Sequence, residues 1–332
     1  MPLALVTGGT GFIGSHVVRR LVAQGLTVRC LARAEGNRRN LEGLPVEMAI
    51  GDLQNAESLQ RAVQNCEYVF HLAADYRLWV RDPEAMDRVN IDGSRHLFEA
   101  SRQAGVRRII FTSSVSAIGR PYQNGSLGIG NETMDPTDDQ LVGPYKRSKY
   151  LADKMARDYA AKGYPIVIVN PSTPIGDRDV KPTPTGKMIV DFLNRKMPGY
   201  VDTGLNFIDV EDVASGHWLA AQRGRVGERY ILGNRNLSLK QFLDLLAEVS
   251  GLPAPRFKIP YAVAWIAGAM STGLSHFTHK EPAIPLNGVR MAHEPMYYDP
   301  FKAVSELGLP QTPLGLALEQ SVRWFRENGY VR

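Results

Sequence analysis

A tyrosine followed four positions later by a lysine occurs twice in the stretch GPYKRSKYLADK, which runs from Gly143 to Lys154. The two pairs are Tyr145 with Lys149 and Tyr150 with Lys154. On a helix this spacing puts the ammonium one turn from the phenol, where its charge favours the phenolate. Because a free phenol has a pKa of about 10, lowering it to about 7 requires on the order of 4 kcal/mol of stabilisation. Such a pair can exchange a proton with a reacting oxygen near neutral pH.

Only one of the two tyrosines can face a given site. Five residues along a helix rotate a side chain by roughly 140° net, so Tyr145 and Tyr150 point in different directions. Pro144 suits the first turn of a helix, which predicts Tyr145 near the helix start, beside the strand ends where ligands of α/β folds bind. Tyr150 is predicted to pack inside the protein or to face a partner subunit.

Hydroxyl groups that could polarise a reacting oxygen follow an apolar run in IIFTSSVSAIG. They belong to Thr112, Ser113, Ser114 and Ser116. Strand alternation puts Thr112 and Ser114 on one side and Ser113 on the other. One of these hydroxyls could donate a hydrogen bond to an oxygen that exchanges a proton with the tyrosine.

A glycine-rich turn, TGGTGFIGSH, joins the apolar strand LALVTG to the amphipathic helix FIGSHVVRRLVAQG. Its glycines are Gly8, Gly11 and Gly14. In this setting the first glycine permits a tight turn, the second lets the backbone approach a pyrophosphate, and the third lets the helix pack closely on the strand. The turn therefore predicts a dinucleotide site.

The end of the second strand, TVRCLARAEGNRR, bears on which dinucleotide binds. An acidic residue usually holds the ribose 2′-OH there, but this sequence has Ala32 and Arg33, followed by Arg38 and Arg39. Guanidinium groups suit a 2′-phosphate, so NADP is predicted, with NAD as the alternative. A solvated basic loop with no ligand is the structural alternative.

Further dinucleotide contacts are expected where the third and fourth strands end. Asp52 and Leu53 of GDL follow the third strand and are expected beside the adenine. Ala73 and Ala74 of HLAA end the fourth strand and are expected beside the nicotinamide half.

The elements that carry these residues predict a parallel sheet covered by helices on both faces. Apolar runs in LALVTG, TVRCLAR, PVEMAIG, EYVFHLAA, RRIIFTSS and PIVIVNPS alternate with helix-period segments or loops. The predicted fold is α/β, a doubly wound Rossmann-type sheet with a smaller, mostly helical C-terminal substrate lobe. FIDVEDVASGHWLAA and ERYILG are expected to return to the sheet. The predicted domains are 1–172 with about 207–233 for the dinucleotide, and about 173–206 with 234–332 for the substrate.

The composition is typical of a globular, soluble protein of a reducing compartment. Of 332 residues, 44% are hydrophobic and 22% charged, and 39 basic and 34 acidic residues give a net charge of +5 without long runs. This pattern argues against nucleic-acid binding. Cys30 and Cys66 have neither disulfide nor metal-like spacing, so free thiols and no metal site are predicted. The amino terminus lacks an export signal, and a cytoplasmic location is predicted.

One apolar stretch, IPYAVAWIAGAMSTGLSHFTH, lies between Lys258 and Lys280 and contains no Asp, Glu, Lys or Arg. Pro260, Gly268, Gly273 and several polar residues argue against a membrane span. The segment 259–275 is expected to be a packed helix of the substrate lobe, with a lid over a greasy pocket or a peripheral membrane contact as the alternatives.

Taken together, TGGTGFIG, GDL, HLAA, VNIDGS, FTSS, YKRSK and YYDPFKAVSELG resemble the extended short-chain dehydrogenases/reductases over nearly the whole chain. The tyrosine motif of that family reads Y-x-x-S-K, which Tyr145 and Lys149 satisfy through Ser148, whereas Tyr150 has Asp153 at the serine position. The resemblance implies that Tyr145, Lys149 and Ser114 are catalytic, with Ser116 as the neighbour that could share the work of Ser114.

The resemblance also implies roles around the cofactor. Lys149 would hold the nicotinamide ribose and lower the pKa of Tyr145, and Asn90 of VNIDGS would cap or bend a helix or take part in a proton relay. The predicted dinucleotide-binding residues are Gly8, Thr10, Gly11, Phe12, Ile13, Gly14, Arg33, Arg38, Asp52, Leu53, Leu72, Ala73, Ala74, Asn90, Thr112, Ser113, Tyr145, Lys149, Pro171 and Ser172.

Within the family, the chain looks nearest to dihydroflavonol 4-reductase-like proteins and to hopanoid-associated sugar epimerases. Sugar epimerases commonly have an Arg-Asp pair before F-I-x-V-x-D, but this chain has Leu205 and Asn206 there, and its VNPS contains Asn170. An NADP(H)-dependent oxidoreductase acting on a bulky small molecule is therefore predicted. Arg290, seven residues before Tyr297, resembles a diphosphate-binding arginine and keeps the epimerase/dehydratase as the alternative.

Two further expectations follow from the family resemblance. A protein that binds NADP without turnover is the second alternative, although its relatives usually lose the tyrosine or the lysine. The family often forms homodimers through the helices that contain DPEAMDRVNIDGSRHLFEASRQAG and PYKRSKYLADKMARDYAAKG, and a homodimer is predicted here.

Overall fold

The computed structural model of the protein describes residues 1–123, 126–278 and 280–331. Its strands are β1 Leu3–Thr7, β2 Thr27–Ala32, β3 Val46–Ile50, β4 Tyr68–His71, β5 Arg108–Thr112, β6 Tyr122–Gln123, β7 Ser126–Leu127, β8 Ile166–Pro171, β9 Thr173–Ile175, β10 Gly204–Asp209, β11 Arg229–Leu232 and β12 Arg235–Ser238. Its helices are α1 Phe12–Ala23, α2 Ala56–Ala62, α3 Pro83–Asp87, α4 Gly93–Gln103, α5 Gly143–Ala161, α6 Pro184–Leu193, α7 Val210–Arg223, α8 Leu239–Ser250, α9 Tyr261–Thr278, α10 Leu286–Met291 and α11 Leu314–Glu327.

A seven-stranded sheet forms the centre, in the order β11-β8-β5-β4-β1-β2-β3. All its neighbouring strands pair in parallel. Strands such as β8 are buried along their whole length, because α1 and α7 cover one face of the sheet while α2, α4 and α5 cover the other. The doubly wound Rossmann-type fold predicted from the continuous apolar runs is confirmed.

A smaller lobe is built around a three-stranded sheet in the order β12-β10-β9. Of the two segments expected to return to the large sheet, ERYILG forms its edge strand β11, whereas β10 lies in the small sheet. The reason is packing: Phe207 of β10 stacks on Phe242 of α8, with ring centroids 4.3 Å apart, and pairs with Thr173 of β9. The helix α7 that follows β10 does pack on the large sheet.

The charge-free stretch of the sequence forms α9, and its last residue, His279, lies outside the described residues. Gly268 of α9 faces α10, where an added Cβ would lie 3.0 Å from Val289, and several apolar side chains elsewhere on α9 are exposed. The segment is therefore only partly packed. Within the ranges described, no helix has both the length and the apolar character that crossing a membrane requires.

Candidate functional site

The predicted site residues meet where the strands of the large sheet end. The turn after β1 contains the glycines, and the ends of β4, β5 and β8 contain HLAA, TSS and NPS. Gly8 has a φ of +72°, and a Cβ there would lie 2.7 Å from the amide nitrogen of Ala73. Gly8 therefore lets the glycine turn approach the end of β4.

The three glycines have different surroundings. A Cβ on Gly14 would lie 2.0 Å from the Gly8 carbonyl oxygen, whereas a Cβ on Gly11 would meet only that same oxygen, at 3.3 Å. Packing thus excludes a side chain at Gly14, while the space outside Gly11 is open. The first turn of α1 has no side-chain cap and no acidic residue, so its N–H groups are available to an anion. These features fit the pyrophosphate of a dinucleotide.

A surface cavity of about 350 Å³ lies beside the ends of β2 and β3 and is lined by Arg33, Gly51, Asp52 and Arg61, among others. The cavity is where the sequence predicts the adenine end of the cofactor. Arg61, near the end of α2, was not predicted. Its only sequence signal is its place on the helix that follows GDL, and in the structure it lines the same cavity as Arg33.

Other predicted cofactor residues have mixed surroundings. Leu53 is buried in the core between the sheet and α4, so its side chain belongs to the core that underlies the predicted site. Arg38 is half-buried, and its Nε has no hydrogen-bond partner among the described residues. The buried hydroxyls of Ser113 and Ser172 also lack partners in that part of the chain, which leaves them able to bond to a ligand.

Tyr145 lies in the first turn of α5, next to Pro144. Its phenol interacts with the hydroxyls of Ser114 and Ser116, which come from the turn after β5. Burial raises the pKa of Tyr145, and the nearby hydroxyls of Ser114 and Ser116 oppose that rise. The structure thus brings together the tyrosine and both serines predicted to act with it.

Lys149 is buried one turn after Tyr145, and its ammonium donates to the Thr112 carbonyl at 2.8 Å. Burial lowers its pKa to about 8, while the carboxylate of Asp153 opposes the shift. The second pair differs: Tyr150 interacts with Arg157, and Lys154 is exposed. The catalytic roles of Tyr145 and Lys149 stay predictions, although only this pair is brought to the strand ends.

Asn90 connects the active-site helix to the loop after β4. Its side-chain amide donates to Ser148 Oγ at 3.0 Å and to the Asp75 carbonyl at 2.9 Å, and its Oδ1 accepts from the Asp75 amide at 2.7 Å. It lies within a π-helical turn, Arg88–Asp92. These contacts make Asn90 a positioning residue for the loop and for Ser148.

Thr112 makes an internal contact that sequence reasoning missed. Its Oγ1 lies 2.9 Å from Nε2 of His217, whose Nδ1 lies 2.8 Å from the Val213 carbonyl. A carbonyl can only accept, so Nδ1 has the proton and Nε2 accepts from Thr112. Burial lowers the pKa of His217 to about 4, in keeping with a neutral ring. The Thr112 hydroxyl is therefore occupied inside the protein.

Comparison with known proteins gives consistent results. A protein of Synechocystis sp. named as a candidate dihydroflavonol 4-reductase is 46% identical over 98% of this chain and 95% of its own length. Sterol demethylase protein B of Methylococcus capsulatus is 32% identical over 98% of this chain and 99% of its own length. The crystal structure of a nucleoside-diphosphate-sugar epimerase from Pseudomonas aeruginosa is 28% identical, with a TM-score of 0.81 over 100% of this chain and 99% of that one.

The family profile described as NAD dependent epimerase/dehydratase matches residues 4–233. The match covers the large sheet, the glycine turn and the Tyr145 helix, and it confirms the resemblance that the motifs indicated. The chain therefore belongs to the NAD dependent epimerase/dehydratase family of extended short-chain dehydrogenases/reductases and is an NAD(P)-dependent enzyme.

Proposed function

We propose that the protein is an NADP(H)-dependent oxidoreductase that interconverts a carbonyl and an alcohol on a bulky, lipophilic small molecule. The observation that carries the proposal is the Tyr145 phenol beside the Ser114 hydroxyl, with Lys149 buried one helical turn away. The dinucleotide, bound across the glycine turn, supplies or accepts the hydride.

In this proposal each side chain has a defined role during carbonyl reduction. Ser114 donates a hydrogen bond to the carbonyl oxygen and holds it next to Tyr145. Tyr145 gives its proton to that oxygen as the alcohol forms, and takes it back in the reverse direction. Lys149 holds the ribose of the nicotinamide and stabilises the phenolate, which opposes the effect of burial on the Tyr145 pKa.

Two observations support this substrate class. One is the names of two relatives, and the other is the lack of a cation at a position where sugar epimerases have an arginine. The names of the Synechocystis and Methylococcus proteins refer to a flavonol and to a sterol. At the position where sugar epimerases have arginine and aspartate, Asn206 is buried and its side chain donates to Asn236 Oδ1 at 2.9 Å and to the Tyr298 carbonyl at 3.2 Å. Asn206 therefore offers no charge to a diphosphate.

The second candidate is a nucleotide-sugar epimerase or dehydratase, which the likeness to the Pseudomonas epimerase favours. Arg290 on α10 is exposed and could contact an anionic group. A protein that only senses NADP is the weaker alternative, because this chain keeps Tyr145 and Lys149.

Cofactor exchange separates the two enzymatic functions. The purified protein is denatured, any released dinucleotide is identified, and the rate at which NADPH enters the native protein is measured. We expect rapid exchange, followed by oxidation of NADPH when lipophilic ketones or aldehydes are added. Retained cofactor that exchanges slowly, with no net oxidation by any carbonyl compound, would favour the epimerase. Tyr145→Phe is the control that must abolish the oxidation.

The preference for NADP depends on Arg33 in the proposed adenine cavity. Arg33→Ala is expected to weaken NADPH binding by roughly 10- to 100-fold, because a hydrogen bond to a charged group contributes about 1.5 to 3 kcal/mol. NADH lacks the 2′-phosphate, so its affinity should change little. Both dissociation constants are measured by fluorescence titration.

Arg39→Ala is the matched control for this prediction. The guanidinium of Arg39 donates to Asn328 Oδ1 at 2.7 Å, so its removal should leave the NADPH-to-NADH ratio unchanged. An equal loss of both affinities in Arg33→Ala would exclude the phosphate contact.

A further inference from the structure

Helix α9 is an apolar helix, and one face of it is exposed among the residues whose side chains the structure describes. Four large side chains form a stripe at helical spacing, Val263, Ile266, Met270 and Leu274, which we call the α9 stripe. Their exposed fractions are 55%, 54%, 71% and 63%. Isolated exposed apolar residues are ordinary, but a contiguous stripe of this kind marks an interaction surface.

One exposed aromatic side chain lies near the start of the helix: Phe257, just before it, is 76% exposed. The opposite face of α9 packs on α10, where Gly268 approaches Val289 and the Thr272 hydroxyl accepts from the Leu286 amide at 2.9 Å. The stripe is thus presented outward by a helix that is fixed to the protein along its other side.

Exposed cations lie at both ends of the stripe. Between Arg256 and Glu294 the sequence has four cations and two carboxylates, Glu281 and Glu294. Arg256 and Lys280 are exposed at opposite ends of the helix. A third cation, Lys258, pairs with Asp202 at 2.7 Å. An apolar stripe with cations at both ends complements a surface that is apolar inside and anionic outside.

A second copy of the chain would be a poorer partner for the same surface. In a twofold dimer the same patch meets itself, so the cations around one stripe would approach those around the other. An anionic lipid surface avoids this repulsion, and aromatic side chains are favoured at the boundary between headgroups and acyl chains.

We propose that the α9 stripe docks the protein on the surface of an anionic lipid bilayer, with α9 lying in the plane of the interface. Docking there would bring the catalytic centre close to the bilayer. Asn287 of α10 donates to the Leu78 carbonyl at 3.2 Å and closely approaches Gly143, the first residue of the Tyr145 helix. A lipophilic substrate could thus reach the site without crossing much water.

Vesicle flotation tests the proposal without any turnover, so its outcome is independent of the proposed reaction. Wild-type protein is mixed with vesicles of phosphatidylcholine alone or with phosphatidylglycerol added. We expect flotation with the anionic vesicles and at least roughly tenfold weaker partitioning of Ile266→Glu/Met270→Glu, because two charges would enter the apolar boundary. Arg256→Gln/Lys280→Gln should remove most of the preference for phosphatidylglycerol.

The matched control is Val226→Glu/Leu316→Glu, which adds the same two charges at exposed apolar residues away from α9. It should float like the wild type. All variants are compared for thermal midpoint and NADPH affinity, so that an unfolded variant is not mistaken for a non-binding one.

Three results would overturn the proposal. The wild type could fail to float with anionic vesicles, or the control could lose flotation as strongly as the stripe variant. Light scattering could also show a dimer that only the stripe variant disrupts, without vesicle binding, and the partner would then be a second copy of the chain.

Discussion

Tyr145→Phe is expected to lower kcat by about 10²- to 10⁴-fold while leaving the affinity for NADPH nearly unchanged. Phenylalanine keeps the ring and its packing in the first turn of α5 but has no proton to exchange. The Ser114 hydroxyl would remain next to the reacting oxygen, so binding of substrate should change less than turnover. The measurement is NADPH oxidation with a carbonyl substrate found in the exchange experiment, together with a fluorescence titration of NADPH.

Tyr150→Phe is the matched control because it makes the same change five residues along the same helix. Its phenol lies near Arg157 and points in a different direction from Tyr145 on the helix, so kcat should stay near that of the wild type. Near-normal turnover in Tyr145→Phe would reject the assignment of the acid/base. Loss of turnover in Tyr150→Phe alone would transfer the role to the second pair.

The parts of this site that follow from local sequence were predictable. A glycine triplet between a strand and a helix, and a tyrosine one turn before a lysine, depend on contacts within a few residues. The seven apolar strands were readable for the same reason, since burial on both faces leaves an unbroken apolar run. Helical geometry alone separated Tyr145 from Tyr150, although it could not say which one faces the site.

Contacts between distant segments were not predictable in the same way. The bond between Thr112 and His217 joins residues 105 positions apart, and no spacing in the sequence signals it. Arg61 lines the same cavity as Arg33, although it comes from a different element, α2. The strand β10 joined the small sheet because Phe207 packs on Phe242. In each case tertiary packing decided between local alternatives of similar pattern.

The least predictable feature is a buried polar network behind Ser114. Asp153 has no exposed surface and lies 3.6 Å from Arg229 and 3.2 Å from Arg157. The Asn170 amide donates both to Asp153, at 3.1 Å, and to the Ser114 carbonyl, at 3.0 Å. A charge on the edge strand β11 is thus connected, through the side chains of Asp153 and Asn170, to the turn that holds Ser114.

Arg229 also fixes the chain between Ser114 and Tyr145. Its guanidinium donates to the carbonyls of Glu132, at 2.9 Å, and Met134, at 3.2 Å, and it pairs with Asp135 at 2.9 Å. The Met134 carbonyl also accepts from the Gly119 amide at 3.0 Å. One buried cation therefore holds both the carboxylate behind Ser114 and the loop in front of it.

Arg229→Met is expected to lower the free energy of unfolding by about 3 to 5 kcal/mol, because removing one partner leaves the buried Asp153 carboxylate with less compensation. Methionine keeps much of the apolar stem, so the loss reports on charge and hydrogen bonds more than on volume. Urea denaturation followed by circular dichroism measures the change. The turn that holds Ser114 should also be held less rigidly. We therefore expect kcat to fall at temperatures where the protein is still folded.

Two variants test whether the buried Asp153 carboxylate causes the loss of stability in Arg229→Met. Arg225→Met removes an arginine whose side chain is 61% exposed in its pair with Glu306, and it should change stability much less. Arg229→Met/Asp153→Asn removes the buried charge together with its cation, so it should recover part of the lost stability. A double variant no more stable than Arg229→Met would instead attribute the loss to the carbonyls of Glu132 and Met134, which would then lose the hydrogen bonds that Arg229 donates.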